Sequence, residues 1–137
     1  MNKAIIARVT AHIHAPIDKV WRALIDPHMI EQYMFGAKVT SDWKEGSPIT
    51  WKGEFQGRPY EDTGTVLRIN EPNTLRYSHR SGGDVDKEHT VEIQLSENGG
   101  TTDIVLRQDN NPSTEARQGS EKTWHAMIDG LKKVLET

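Results

Sequence analysis

The chain has no cysteine, so a disulfide framework, a thiol nucleophile and a Cys-ligated zinc are all excluded. It has no apolar run near the roughly 18 residues that a membrane helix needs, and its opening MNKAIIARVTAHIHA lacks a core of signal-peptide length. It also lacks a charge excess of either sign. Its 17 Lys+Arg stand against 20 Asp+Glu, a formal charge of -3, which argues against a dedicated nucleic-acid or anionic-membrane binder. Phosphate loops, nucleophile elbows, dinucleotide fingerprints and a Ser-His-Asp order are all missing. These absences point to a cytoplasmic protein without a cofactor. At 137 residues there is chain enough for one core, so a single domain over 1–137 is expected.

From Lys3 to His14 the alternation of Ile5, Ala7, Val9, Ala11 and Ile13 reads as a first strand. Ala15-Pro16 then starts a helix in which Ile17, Val20, Trp21 and Leu24 recur at helical spacing. Asp26-Pro27 starts a second helix, with Asp26 as its cap and Ile30, Tyr33 and Met34 turned inward. Between residues 37 and 109 the period drops to two, and turn clusters interrupt it every eight to twelve residues, as in an antiparallel meander. The breaks fall at 45–47, 56–57, 70–73, 81–84 and 98–99. An Asn98-Gly99 turn pairs Leu95 with Thr102, Val91 with Leu106 and His89 with Gln108. A turn at Gln56-Gly57 sets Trp51 opposite Asp62 and Gly53 opposite Tyr60. After Asn111-Pro112-Ser113, a stripe of Ala116, Ser120, Thr123, Trp124, Met127, Ile128, Leu131, Val134 and Leu135 predicts one long amphipathic helix. That helix is longer than any one strand, so the sheet must curve around it. Residues 81–87 are the one segment expected to be mobile.

The stretch Ala15-Pro16-Ile17-Asp18-Lys19-Val20-Trp21-Arg22-Ala23-Leu24-Ile25-Asp26-Pro27 resembles the opening of START-like SRPBCC proteins. Gly64-Thr65-Val66, Glu71 to Tyr77, Gly99 to Leu106, and Trp124 with Leu131 are similar to the branch related to the C-terminal domain of the activator of the ninety-kilodalton heat-shock protein ATPase. The resemblance spans nearly the whole chain. It implies an α+β helix-grip fold: six to seven antiparallel strands wrapped around a long C-terminal helix, with two short helices after the first strand. It also implies a cavity between sheet and helix, used by different relatives for different ligands or for none known. The chain departs from the pattern at 41–47, Ser-Asp-Trp-Lys-Glu-Gly-Ser, and at Thr123-Trp124, where a Gly-Trp pair is often found. Gly119, one turn earlier, is expected to mark a bend or a close approach.

The faces assigned above turn Ile49, Trp51 and Phe55, then Leu75, Tyr77 and His79, then His89, Val91, Ile93 and Leu95, and finally Thr102, Ile104, Leu106 and Gln108 toward the helix. Strand pairing places His89 opposite either Tyr77 or His79, gathering Tyr77, His79, His89 and Gln108 at one end. The candidate ligand-binding residues are Trp51, Tyr77, His79, His89, Gln108, Ser120 and Trp124. No catalytic or metal residue is assigned. Three readings follow: a module for a small hydrophobic or aromatic molecule, a protein-interaction module with a chaperone partner, and an acid/base enzyme of the cyclase kind using His89. Neither nucleic acid nor membrane is an expected partner, and the chain is expected to be a monomer or weak homodimer. His12-x-His14 reads as a surface pair without a third ligand, and Asp84, Asp86 and Glu88 as a solvated run.

Overall fold

Two edge strands frame one antiparallel sheet, and the helices that join them lie over its concave face. The computed structural model describes residues 5–84 and 87–136. The order is β1 (Ala7–Ile13), α1 (Ile17–Ile25), α2 (Pro27–Tyr33), β2 (Lys38–Ser41), β3 (Pro48–Phe55), β4 (Arg58–Asn70), β5 (Thr74–Arg80), β6 (Glu88–Asn98), β7 (Thr101–Gln108) and α3 (Thr114–Glu136). In space the strands run β1-β7-β6-β5-β4-β3-β2. This is the helix-grip arrangement, with seven strands.

Local chemistry sets the element ends. Pro16 stays extended and caps α1, while the Asp26 carboxylate accepts from the amides of His28 at 2.8 Å and Met29 at 3.4 Å to start α2. Leu67 is an extra residue on β4, since Val66 pairs with Tyr77 and Arg68 with Arg76. Such a bulge bends and twists a long strand, and it leaves Leu67 exposed. Close by, Gly64 lies so near β5 that a Cβ would stand 1.9 Å from the Ser78 carbonyl oxygen, so only glycine fits. Along the β1 edge, Glu121 and Glu136 of α3 accept from the amides of Arg8 at 3.0 Å and His14 at 2.8 Å. Those carboxylates occupy edge donors that could otherwise recruit another strand.

The core lies between the concave face and the helices, with Val9, Ile13, Val20, Trp21, Ile30, Ile49, Leu75, Ile104, Leu106, Ile128 and Leu131 buried. Four expectations are corrected here. The β6–β7 turn is Gly99-Gly100, with φ of 60° and 88°, so Leu95 pairs with Ile104 and Val91 with Gln108. A type I′ turn needs positive φ at both central residues, and two glycines supply this at less cost than Asn-Gly. The slip is two residues, so every side chain keeps its face. Phe55 is 69% exposed because it flanks the Gln56-Gly57 turn at a hairpin tip, where nothing covers the inward face. Thr123 is exposed, its hydroxyl donating to the Gly119 carbonyl at 3.1 Å. Gly119 makes no close approach, as nothing lies within 4 Å of a Cβ built there. The close approach on α3 is at Gly130, where a Cβ would meet that of Tyr33 at 3.3 Å.

Asp26 and Pro27 start α2 as anticipated, and β3–β4 pairs Trp51 with Asp62 and Gly53 with Tyr60. His79 faces His89. Residues 81–83 form a short turn whose two glycines are left-handed, with φ of 63° at Gly82 and 75° at Gly83. Lys3 and Ala4 of the expected first strand, and Val85 and Asp86 within the 81–87 segment, the latter also in the acidic run, lie outside the described residues.

Candidate functional site

Neighbouring strands bring Trp51 (β3), Tyr60 and Asp62 (β4), Tyr77 and His79 (β5) and Val91 (β6) onto one end of the concave face. Trp124 and Met127 of α3 lie across from them, and Met34, Phe35 and Ala37 complete the wall at the α2–β2 link. The cavity, open to solvent on one side, is about 120 Å³. Phe35, on that link, is 66% exposed at a φ of 55°. This left-handed conformation is unusual for a bulky residue, and it holds an aromatic ring out in solvent.

The polar groups of the wall are ordered. His79 Nε2 lies 2.9 Å from Asp62 Oδ2, and the His79 ring stands edge-on to Trp51 at 4.9 Å between centroids. An ionised carboxylate only accepts, so Nε2 carries the proton and Nδ1 is the imidazole's remaining nitrogen. The other Asp62 oxygen accepts from the Gly82 amide at 2.9 Å. Tyr77 packs against Trp51 at 5.5 Å between centroids and is 5% exposed. Burial pushes its phenol well above the ordinary tyrosine value of 10.0. Tyr60 is also raised, first by desolvation and then by the Asp62 charge.

Of the seven residues singled out from sequence, four line this cavity: Trp51, Tyr77, His79 and Trp124. The other three hold the scaffold around it. Gln108 Oε1 accepts from the Trp124 indole N–H at 2.6 Å, while its amide donates to Ser120 Oγ at 3.3 Å and Ser120 donates to Asn111 Oδ1 at 2.9 Å. This chain of bonds fixes the orientation of the Trp124 ring. His89 donates from Nδ1 to the Asp109 carbonyl at 2.8 Å, tying β6 to the segment after β7, and it does not oppose Gln108. Asp62 and Tyr60 were legible as neighbours of Trp51 and Gly53 through the Gln56-Gly57 turn. Met34 lines the mouth, in keeping with its inward assignment, whereas Phe35 and Ala37 were missed, because only the path of the α2–β2 link brings them there.

Elsewhere, His12 Nδ1 lies 2.6 Å from Asp103 Oδ1, and the His12 and His14 rings meet edge-on at 5.0 Å. Among the described residues no cluster of three or more His, Asp or Glu has the geometry of a metal site, and no helix is long and apolar enough to cross a membrane.

Comparison with known proteins agrees with this architecture. A solution structure of a Cytophaga hutchinsonii protein shares 47% identity with the chain at a TM-score of 0.85, over 99% of this chain and 97% of that one. A protein of the dynemicin biosynthetic locus has the same fold at a TM-score of 0.82 and 19% identity, over 98% of this chain and 48% of that one. CalU16 of Micromonospora echinospora matches at 0.73 and 24% identity, over 96% and 81%. No curated protein matches the sequence. The family model described as "Activator of Hsp90 ATPase homolog 1-like protein" matches residues 14–136, and the chain belongs to that family.

Proposed function

We propose that this protein binds a small hydrophobic or aromatic molecule in the cavity between the sheet and α3. The observation that carries the reading is the wall itself: Trp51, Val91, Trp124 and Met127 supply apolar surface, and Tyr77, His79 and Asp62 converge as the few polar groups. Apolar walls give affinity and sparse polar groups give orientation. Within the seven-residue set, Trp51, Tyr77, His79 and Trp124 act as contact residues, and His89, Gln108 and Ser120 act through the scaffold. The cytoplasm suits such a domain.

Native mass spectrometry of the purified protein, followed by denaturing extraction, tests the reading directly. A co-purifying small molecule is expected. A panel of one- and two-ring aromatics should raise the melting temperature, since a ligand at a hundred times its Kd adds about 2.7 kcal/mol to the native state. An empty protein whose melting temperature ignores the whole panel sinks the proposal.

The family description favours a second reading, a protein-interaction module that stimulates a chaperone ATPase. ATPase stimulation by the purified protein in large excess would support it, and an unchanged rate would remove it. An acid/base activity is the third reading, and the His79–Asp62 pair moves its test to His79→Ala in place of His89→Ala.

A further inference from the structure

The cavity wall carries a hydroxyl that the protein leaves unused. Tyr77 lines the cavity and is buried, yet no described residue forms a hydrogen bond with its phenol. Buried phenols normally find a partner. Tyr33, in the same core, does so by donating to the Ala23 carbonyl at 2.9 Å. Trp51 lines the cavity too, and its indole N–H also has no partner among the described residues. The Trp124 N–H, by contrast, is spent on Gln108. The wall therefore offers donors. The one carboxylate of the wall among the described residues, Asp62, already accepts from His79 and the Gly82 amide.

Size and charge narrow the occupant. At about 120 Å³ the space is close to the cavity of about 150 Å³ that takes up benzene in another protein. Among the described residues the wall has no lysine or arginine to meet an anionic ligand, and the Asp62 charge repels a second carboxylate. We propose, resting on the small-molecule reading above, that the cavity selects an uncharged single-ring aromatic group whose carbonyl or hydroxyl oxygen accepts the Tyr77 O–H. The group is a whole ligand or the inner ring of a larger one that extends past Phe35.

Three probes of near-equal shape test this: acetophenone, isopropylbenzene and benzoate, titrated by NMR into wild-type protein and Tyr77→Phe. Acetophenone should bind wild type at least tenfold more tightly than benzoate. Tyr77→Phe should weaken acetophenone about fivefold to tenfold, the worth of one net hydrogen bond, and leave isopropylbenzene within about twofold. Benzoate binding as tightly as acetophenone, or a Tyr77→Phe effect equal on acetophenone and isopropylbenzene, overturns the inference and leaves the small-molecule reading standing. If none of the three binds wild type at millimolar concentration, the small-molecule reading itself fails, and the inference fails with it.

Discussion

Beneath α3 lie two regions built from the same kinds of residue and finished differently. In one, Leu24, Tyr33, Ile93, Ile104, Leu106, Ile128 and Leu131 close up to leave about 20 Å³, too little for an organic ligand. In the other, Trp51, Tyr77, His79 and Trp124 line a half-open space of about 120 Å³. Each region contains one buried tyrosine. Tyr33 spends its hydroxyl on the Ala23 carbonyl, and Tyr77 does not spend its own. A filled region maximises dispersion contacts and satisfied polar groups, whereas a binding region gives up some of both.

Truncation at the closed end should show the largest effect. Leu131 is 1% exposed, so Leu131→Ala should cost about 2–5 kcal/mol, the range for a buried leucine whose site cannot collapse. Met127, which borders both spaces and is only partly buried, should cost less on the same change, because part of its surface already faces the cavity. Urea denaturation of the two variants settles the ordering. Equal losses would mean that the cavity end is packed as tightly as the other.

Alkaline pH tests both tyrosines together. Each phenol is raised above 10.0, mainly by burial, and for Tyr33 also by the charge Tyr77 would carry. Below pH 10 both are protonated in folded and unfolded chains, so the full stability is present. Above it the unfolded chain releases protons that the native state retains, and stability falls as pH rises toward the folded values. The slope should reach about 1.4 kcal/mol per pH unit for each tyrosine. Melting temperatures from pH 8 to 11.5 should therefore fall less steeply above pH 10 in Tyr33→Phe and in Tyr77→Phe than in wild type. An unchanged slope in either variant would mean that its phenol ionises freely in the native state.

At neutral pH the same two substitutions should part company. Tyr33→Phe removes a hydrogen bond and leaves the Ala23 carbonyl without it, for a loss of about 1–2 kcal/mol. Tyr77→Phe removes a hydroxyl that has no partner, so stability should stay within about 0.5 kcal/mol or rise. A loss at Tyr77 as large as that at Tyr33 would show that its hydroxyl is satisfied in the native state.

Much of this architecture can be read from the sequence, because alternation and turn chemistry agree. The Gln56-Gly57 turn sets Trp51 against Asp62, and the Asp26-Pro27 pair starts α2. Even the misplaced β6–β7 turn cost nothing in facing, since a slip of two residues preserves a period of two. What it did cost was axial position. Val91, not His89, stands opposite Gln108, so the expected polar cluster divides into the His79–Asp62 pair in the cavity and the Gln108–Ser120–Asn111 chain beside it. Periodicity also tells which way a side chain points but not whether anything lies above it, which is why Phe55 points inward and is exposed. The cavity's volume depends on how closely α3 approaches the sheet, a quantity that local sequence does not encode.

Two glycines of α3 make the smallest test of how that approach is set. Gly130 lets the helix close on Tyr33, where a Cβ would be 3.3 Å from the tyrosine's own, while Gly119 is exposed with nothing within 4 Å. In a helix, alanine in place of glycine is worth up to about 1 kcal/mol. Gly119→Ala should collect most of that gain, since no contact opposes it. Gly130→Ala must push Tyr33 back by a few tenths of an ångström, at the end of the helix where packing is closest, so its gain should vanish or reverse. Paired thermal melts would detect the difference. If both variants are stabilised alike, α3 has room to spare above Tyr33, and the closed end owes its tightness to the leucines and isoleucines alone.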